Sequence, residues 1–159
     1  MNVLDILKYG NDTLMKSVER FPAENYETEG ACGWWSVKDI VAHMVSYETL
    51  LAEVISTFLG GGPTPTMERM RDLRGDFNDA EVNARRDRRM DAVLEEYRTA
   101  HARVVERATQ IPAETFRENG TISWYGPDYC LDDFIVYTNY AHKREHAGQI
   151  DVFRDRFNA

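Results

Sequence analysis

Residues 36–59 read SVKDIVAHMVSYETLLAEVISTFL and carry the clearest helical pattern of the chain. Apolar side chains recur every three or four residues, which is the spacing of an amphipathic helix. Ser36 suits the N-cap, because its hydroxyl can accept a hydrogen bond from a free amide of the first turn. Glycines and a proline at residues 60–63 (GGGP) then favour a stop. The pattern predicts a long helix that begins near Val37.

Three further stretches show the same spacing. One runs from Asn2 to Arg20 and another from Met90 to Ile111, and a proline follows each of them. The last opens with Asp132 and Asp133, where the helix dipole favours negative charge. Four long amphipathic helices predict an all-α fold, a four-helix bundle, and the length favours a single domain spanning residues 1–159.

The connections between these helices are predicted with less regular structure. Met67–Leu73 forms a short helical turn in a surface crossing, and Asn78–Arg89 forms a short polar helix. Ala113–Cys130 is an aromatic-rich loop with a candidate hairpin near Thr121–Tyr125. The polar helix carries four arginines among acidic residues, which is typical of a solvated face: Arg85, Arg86, Arg88 and Arg89.

Composition excludes several classes of partner and indicates a compartment. The formal net charge of -8 repels phosphate backbones and anionic membranes, so neither nucleic acid nor a membrane is expected as a partner. The chain shows no signal-peptide pattern and no uncharged apolar run of about 18 residues. Cys32 and Cys130 form no CxxC motif, which favours the reducing cytoplasm. Burial as small apolar side chains is a more common role for them than a redox link.

The sequence HKREH at residues 142–146 places two imidazoles four residues apart. They lie one turn apart on one helical face, about 6 Å along the axis, and can bind one metal ion. Zinc-protease helices have glutamate directly after the first histidine, and Lys143 stands there instead, which excludes a zincin. The pair is in phase with Ile135 and Phe153. Both rings are therefore predicted to face the interior, where polar groups without partners are costly.

His43 is the third candidate ligand, because it interrupts the apolar face of the second helix between Ile40 and Tyr47. In an up-down-up-down bundle helices two and four are parallel, and His43 then lies within a few turns of His142 and His146. A lone histidine of this kind is more often a hydrogen-bonded core residue. Together the three predict an interior metal site with at least one open position, as in catalytic sites.

The surroundings of this site are predicted more loosely. Imidazole suits zinc, nickel, copper and iron, so the residues alone leave the metal open. Asp39 is a candidate to orient His43, and Asn139 or Glu145 to orient the HKREH pair. His101 is interpreted as a hydrogen-bonded core residue in preference to a fourth ligand. Four aromatic residues are candidates for a pocket, although packing is their more common role: Trp35, Tyr47, Trp124 and Tyr125.

Two segments carry a family likeness: WSVKDIVAH at residues 35–43 and YAHKREHAGQI at residues 140–150 resemble the DinB/YfiT-like superfamily. The likeness covers nearly the whole chain, including Phe77-Asn78 and the Trp124 position. Within the superfamily the chain resembles the DfsB-type and mycothiol-dependent bundle proteins.

The resemblance implies a four-helix bundle with up-down-down-up topology, in which helices two and four need not be parallel. It implies a divalent transition metal, with zinc or nickel as the leading candidates, held by His43, His142 and His146. It also implies a homodimer. Better-known relatives are thiol-dependent transferases and isomerases that use mycothiol, bacillithiol or glutathione, and others are small-molecule resistance proteins.

Three functions follow as alternatives. The first is a metal-dependent enzyme acting on a small molecule, above all a thiol-dependent S-transferase or a related hydrolase. The second is a non-catalytic stress or resistance protein that binds metal or a small molecule without turnover. The third is a structural site, in which the histidines only tie two helices together.

Overall fold

The structure is a computed structural model, and it describes residues 2–157. Within these residues the regular structure is helical, apart from one isolated β-bridge between Cys32 and Trp35. The predicted all-α class is therefore confirmed. The hairpin expected near Thr121–Tyr125 is wrong: the amide of Tyr125 donates to the carbonyl of Ile122 at 2.9 Å and closes a turn there.

Seven α-helices lie within the described part of the chain. They are α1 (Val3–Glu19), α2 (Val37–Thr57), α3 (Pro65–Leu73), α4 (Phe77–Asn83), α5 (Met90–Ala108), α6 (Leu131–Ile135) and α7 (Ala141–Arg154). A π-helical turn, Val136–Tyr140, joins α6 to α7, and the three form one long last helix. The third long helix ends before the predicted Ile111, and the polar helix ends at Asn83 because tight turns follow it.

A capping box begins α2 where the sequence predicts it. The amide of Asp39 donates to Ser36 Oγ at 3.2 Å, and the amide of Ser36 donates to Asp39 Oδ2 at 2.9 Å. Beyond this cap most side chains of α2 are buried. Each apolar side chain that is fully buried, such as Ile40 or Ile55, stabilises the fold by about 1.5–3 kcal/mol. α2 is consequently the central helix of the bundle.

The long helices pair in two parallel sets. α2 lies along α5, and α1 lies along α7. In each pair the contacts advance together along both helices, so the two members run in the same direction. These contacts are Glu48 with His101 and Ala52 with Arg107 for α2 and α5, and Ser17 with Asp151 and Phe21 with Phe153 for α1 and α7.

α2 and the last helix run in opposite directions. Glu48, later in α2, contacts Asn139, whereas His43, earlier in α2, contacts the later His142. The parallel arrangement of these two helices, expected for an up-down-up-down bundle, is wrong. The order is up, down, down and up for α1, α2, α5 and the last helix. Cys32 and Cys130 precede antiparallel helices and so lie at opposite ends of the bundle, which excludes a bond between them within one chain.

The core has two halves, one near each end of the bundle. One half contains Trp35, Ile40 and Tyr97, and the other contains Leu51 and Ile135. Across residues 2–157, none of the helices has the length and apolar character needed to cross a bilayer.

Candidate metal centre

Three histidine side chains meet between α2 and α7. His142 Nε2 lies 3.0 Å from His43 Nε2 and 3.0 Å from His146 Nε2. One ligand nitrogen from each ring lies within 4.8 Å of the others, and the group found in the described chain consists of these three residues. The structure thus brings together all three histidines predicted from the sequence.

The π-helical turn sets the direction in which the last helix presents its histidines. Its closing hydrogen bond runs from the amide of Ala141 to the carbonyl of Val136, and this wider turn takes up one extra residue. The inward position after Asn139 is therefore Lys143, which is fully buried, and not His142 as predicted. His142 is only half-buried and lies at the margin of the core. His142 is therefore the most exposed of the three histidines.

Burial keeps the three rings neutral near pH 7. Desolvation, together with the neighbouring His142 and His146 rings, lowers the pKa of His43 to about 2. Desolvation and His146 likewise lower the pKa of His142 to about 4, against the opposing effect of the Thr138 carbonyl. Desolvation also lowers the pKa of His146, although Gln149 opposes it. Neutral imidazole is the form that binds metal.

The hydrogen bond of His146 fixes which of its nitrogens is free. His146 Nδ1 lies 2.8 Å from Gln149 Oε1, and an amide oxygen only accepts, so Nδ1 carries the proton. The Nε2 lone pair of this neutral ring then points at His142. A carboxylate or amide oxygen that orients a metal-binding histidine is the usual arrangement at such sites. Gln149 lies one turn after His146, but no spacing rule singles it out in the sequence.

The donor set fits a transition metal. One proton on His142 Nε2 cannot satisfy the lone pairs of both neighbouring nitrogens, whereas a cation between the rings satisfies all three. Zinc–nitrogen bonds of about 2.0–2.1 Å in a tetrahedral site separate the nitrogens by about 3.3 Å. The two observed separations of 3.0 Å are close to that value. Three nitrogens also leave room in the coordination sphere for a water or another ligand.

Two aromatic side chains form walls beside the histidines. The ring centroids of Trp35 and Tyr47 lie 4.8 and 4.7 Å from that of His43. Residues of α4 hold both walls: Trp35 Nε1 donates to Asp79 Oδ1 and the Tyr47 hydroxyl donates to Asn78 Oδ1, each at 3.2 Å. Trp35 and Tyr47, two of the four pocket candidates, thus pack beside the histidines, and Trp35 is also part of the buried core.

The other two aromatic candidates lie elsewhere. Trp124 and Tyr125 pack against Phe134, with ring centroids 5.6 and 5.0 Å away. Phe134 belongs to α6, at the end of the bundle opposite the histidine cluster. The loop of Trp124 and Tyr125 comes before the antiparallel last helix, so it covers the far end and not the site.

The predicted partners of the histidines have other roles. The Asp39 carboxylate caps α2, and Asn139 Nδ2 donates to Glu48 at 2.6 Å. Glu145 is exposed and does not hydrogen-bond His142 or His146, although its charge raises the pKa of His146. His43 Nδ1 is buried and has no hydrogen-bond partner among the described residues. Among the three histidines, His146 is the one for which the described residues include an orienting side chain of the expected kind, that of Gln149.

A buried charged cluster next to the histidines was missed by sequence reasoning. Glu48 and Lys143 are both fully buried, with Glu48 Oε1 2.6 Å from Lys143 Nζ. His101 Nδ1 lies 2.9 Å from Glu48 Oε2, so His101 is a hydrogen-bonded core residue, as interpreted from the sequence. Burial alone would raise the pKa of Glu48, but Lys143 and His101 lower it to about 2. The cluster joins the two helices that carry the histidines.

One arginine departs from the predicted solvated face. The Arg85 side chain is only 13% exposed and its guanidinium contacts Glu81, Glu96 and Ser46. Arg89, by contrast, is 85% exposed as predicted. The polar helix ends before Arg85, and the turn that follows directs this side chain back toward α2.

Comparisons with known proteins agree with this architecture. The family described as "Mycothiol maleylpyruvate isomerase N-terminal domain" matches residues 10–128, a stretch that contains His43 but not the HKREH pair. A crystal structure of an uncharacterised protein from Escherichia coli UTI89 superposes with a TM-score of 0.81. That alignment covers 98% of this chain and 92% of the other at 13% identity, which shows a shared fold. The curated proteins contain no match. The chain belongs to the mycothiol maleylpyruvate isomerase N-terminal domain family, a DinB/YfiT-like helical family.

Proposed function

We propose that this protein is a metal-dependent enzyme that transfers a low-molecular-weight thiol to an electrophilic small molecule. The observation that carries the proposal is the convergence of three neutral imidazole nitrogens, two pairs of them 3.0 Å apart, with His142 the most exposed of the three rings. Zinc or nickel is the proposed metal: imidazole nitrogen suits several transition metals, and the family likeness makes these two the leading candidates. When bound, the metal supplies a Lewis acid that favours the thiolate or hydroxide form of a ligand.

The residues around the cluster support an enzyme over a purely structural site. His43 is held deepest, and the rings of Trp35 and Tyr47 exclude water from its side of the site. Burial raises the pKa of the Tyr47 hydroxyl, although Asn78 opposes the shift, so this group stays protonated near pH 7. Three nitrogen ligands are one fewer than the four protein ligands of closed structural zinc sites. The half-buried His142 leaves an approach for a small molecule.

A thiol is the proposed nucleophile because of the family to which the chain belongs. The family description names mycothiol, and the match includes the helix of His43. In the proposed transfer the thiol sulfur donates an electron pair to an electrophilic carbon and a C–S bond forms. The thiol proton passes to solvent, and the leaving group departs with the electrons of the bond that breaks. Hydrolysis, with water in place of the thiol, is the related reaction.

Turnover with a panel of thiols and electrophiles tests the proposal. Zinc-loaded and nickel-loaded protein should consume thiol at a rate proportional to enzyme concentration, and His142→Ala should abolish this activity. His101→Gln is a matched control. His101 does not belong to the cluster of His43, His142 and His146, and a glutamine at this position can still donate a hydrogen bond to Glu48. If ligand is bound stoichiometrically without turnover, the protein is a binding protein of the resistance type. Metal loading that stabilises the fold without turnover or ligand binding would indicate a structural site.

The assembly and compartment stay predictions. A homodimer is proposed from the family likeness, and sedimentation of the purified protein tests it. The cytoplasmic location, proposed from cysteine usage, is tested by cell fractionation.

A further inference from the structure

Glu48 contacts two residues of the last helix at once. Its Oε1 lies 2.6 Å from Lys143 Nζ and 2.6 Å from Asn139 Nδ2, while its other oxygen faces His101. The carboxylate and the ammonium are both fully shielded from solvent, and Asn139 is 1% exposed. The proposed reaction uses none of these side chains.

The residues that bind Glu48 alternate with the histidines along the last helix. Asn139 lies in the π-helical turn, His142 follows it, then comes Lys143, and His146 lies one turn later. Asn139 and Lys143 are four residues apart, as are His142 and His146, so the two pairs form neighbouring stripes. The rotation of the last helix that places Asn139 and Lys143 against Glu48 therefore also places His142 and His146 beside His43.

We propose that Glu48 is a positioning residue: by binding Lys143 and Asn139 together, it fixes the rotation of the last helix that directs His142 and His146 at His43. This inference rests on the proposed metal site. Glu48 lies five residues after His43 on α2, so one rigid helix carries both the fixing carboxylate and the third ligand.

The chemistry of the cluster suits this role better than it suits stability. Apolar side chains of similar volume often stabilise a core as well as a buried ion pair does, because both charges lose their hydration. Apolar contacts also tolerate small rotations. A shift of one residue rotates a helix by about 100° and would leave Glu48 buried without its ammonium partner. The Glu48–Lys143 ion pair therefore favours one rotation of the last helix about its axis over the rotations that its π-helical turn would otherwise allow.

Cobalt binding to the purified protein tests the proposal, with Co²⁺ as the probe. The main variant is Glu48→Leu with Lys143→Met, which removes both buried charges at similar volume and leaves the Asn139 amide and the His101 ring without their Glu48 acceptor. Glu81→Gln is the matched control. Glu81 is buried and accepts a hydrogen bond from Ser46 of α2 at 2.8 Å, and its other partners, Arg69 and Arg85, do not lie on the last helix. The readouts are Co²⁺ affinity by chelator competition, the visible spectrum at saturating Co²⁺, and the urea midpoint of the metal-free protein.

The double variant should stay folded while its Co²⁺ affinity falls about 10–100-fold and its spectrum changes. Glu81→Gln should lower the urea midpoint and leave affinity and spectrum as in the wild type. A double variant with wild-type affinity and spectrum overturns the positioning role alone. If the double variant does not fold, Glu48→Gln takes its place. We then expect a smaller loss of Co²⁺ affinity and a changed spectrum. An unchanged spectrum of Glu48→Gln would overturn the positioning role. Wild-type protein without His142-dependent Co²⁺ binding would refute the metal site itself, and the positioning role with it.

Discussion

Replacing Lys143 with methionine should destabilise the fold strongly, although a lysine between charged and polar residues of a helix is usually exposed and tolerates substitution. The substitution keeps most of the side-chain volume and removes the ammonium that lies 2.6 Å from Glu48 in a site with no solvent exposure. Breaking a buried ion pair by removing one partner costs about 3–5 kcal/mol. Glu48 keeps its hydrogen bonds to Asn139 and His101, so we expect the lower end, about 3 kcal/mol at pH 7.

The penalty should depend on pH in a defined direction. In the wild type the pKa of Glu48 is about 2, below its ordinary 4.5, so its contribution to stability is full above pH 4.5 and is lost as the pH falls toward 2. Without Lys143 the desolvation of Glu48 dominates, and its pKa rises above 4.5. The folded variant then takes up a proton more readily than the unfolded chain, so its deficit relative to the wild type should shrink as the pH falls toward 4.5.

Urea unfolding of metal-free protein at pH 7 and pH 4.5 measures both effects. Lys38→Met is the control, because Lys38 Nζ also lies 2.9 Å from a carboxylate, Glu27, whose side chain is 66% exposed. Lys38 itself is only 8% exposed and its Nζ also donates to the Arg86 carbonyl at 3.0 Å, but solvent screens the ion pair from the side of Glu27, so the loss of this pair should cost only about 1 kcal/mol. A Lys143→Met penalty no larger than that of Lys38→Met, or one that does not change with pH, would refute the reasoning.

Three further predictions concern the site. Gln149→Ala removes the acceptor of His146 Nδ1 and should weaken metal binding about 10–100-fold in a chelator competition; unchanged affinity would show that Gln149 does not orient the ring. Ser36→Ala removes the cap of α2 and should cost about 1 kcal/mol in urea unfolding at unchanged metal affinity, so a joint loss of metal binding would contradict the assignment of Ser36 to the cap alone. Because burial lowers the pKa of His43 to about 2 and of His142 to about 4, protons compete weakly near neutrality. Metal affinity should therefore change less than about tenfold between pH 7 and pH 6. The metal-free protein should lose stability from pH 6.5 toward pH 4, because histidine in the unfolded chain takes up protons in this range and the buried folded rings do not. A stability that is flat over this range would argue against the buried neutral rings.

Local patterns in the sequence predicted the helices and singled out the three histidines that cluster, because those features depend on nearby residues. The four-residue spacing of His142 and His146 follows from helix geometry alone, and His43 is conspicuous as a polar residue on an apolar face. The Ser36 cap likewise needs only Asp39 three residues later. Periodicity therefore singled out the three histidines. The expectation that they meet at one level assumed parallel helices two and four, whereas the structure brings them together with these helices antiparallel.

Features that depend on contacts between distant segments were not predictable in the same way. The π-helical turn moves Lys143 into the core position that a regular helix would give to His142, and no local signal marks that turn. A lysine beside two histidines is typical of an exposed helix face, and only Glu48, on another helix, makes its burial tolerable. Trp124 was misplaced for a related reason: which end of the bundle a loop covers depends on helix direction.

The metal content of the purified protein, measured beside that of His142→Ala and His101→Gln, tests the central claim most directly. His142 Nε2 is the atom common to both 3.0 Å separations of the cluster, whereas His101 binds Glu48 and takes no part in the cluster. We predict about one zinc or nickel ion per chain in the wild type and in His101→Gln, and a large loss in His142→Ala. Equal metal content in His142→Ala and the wild type would contradict the three-histidine site.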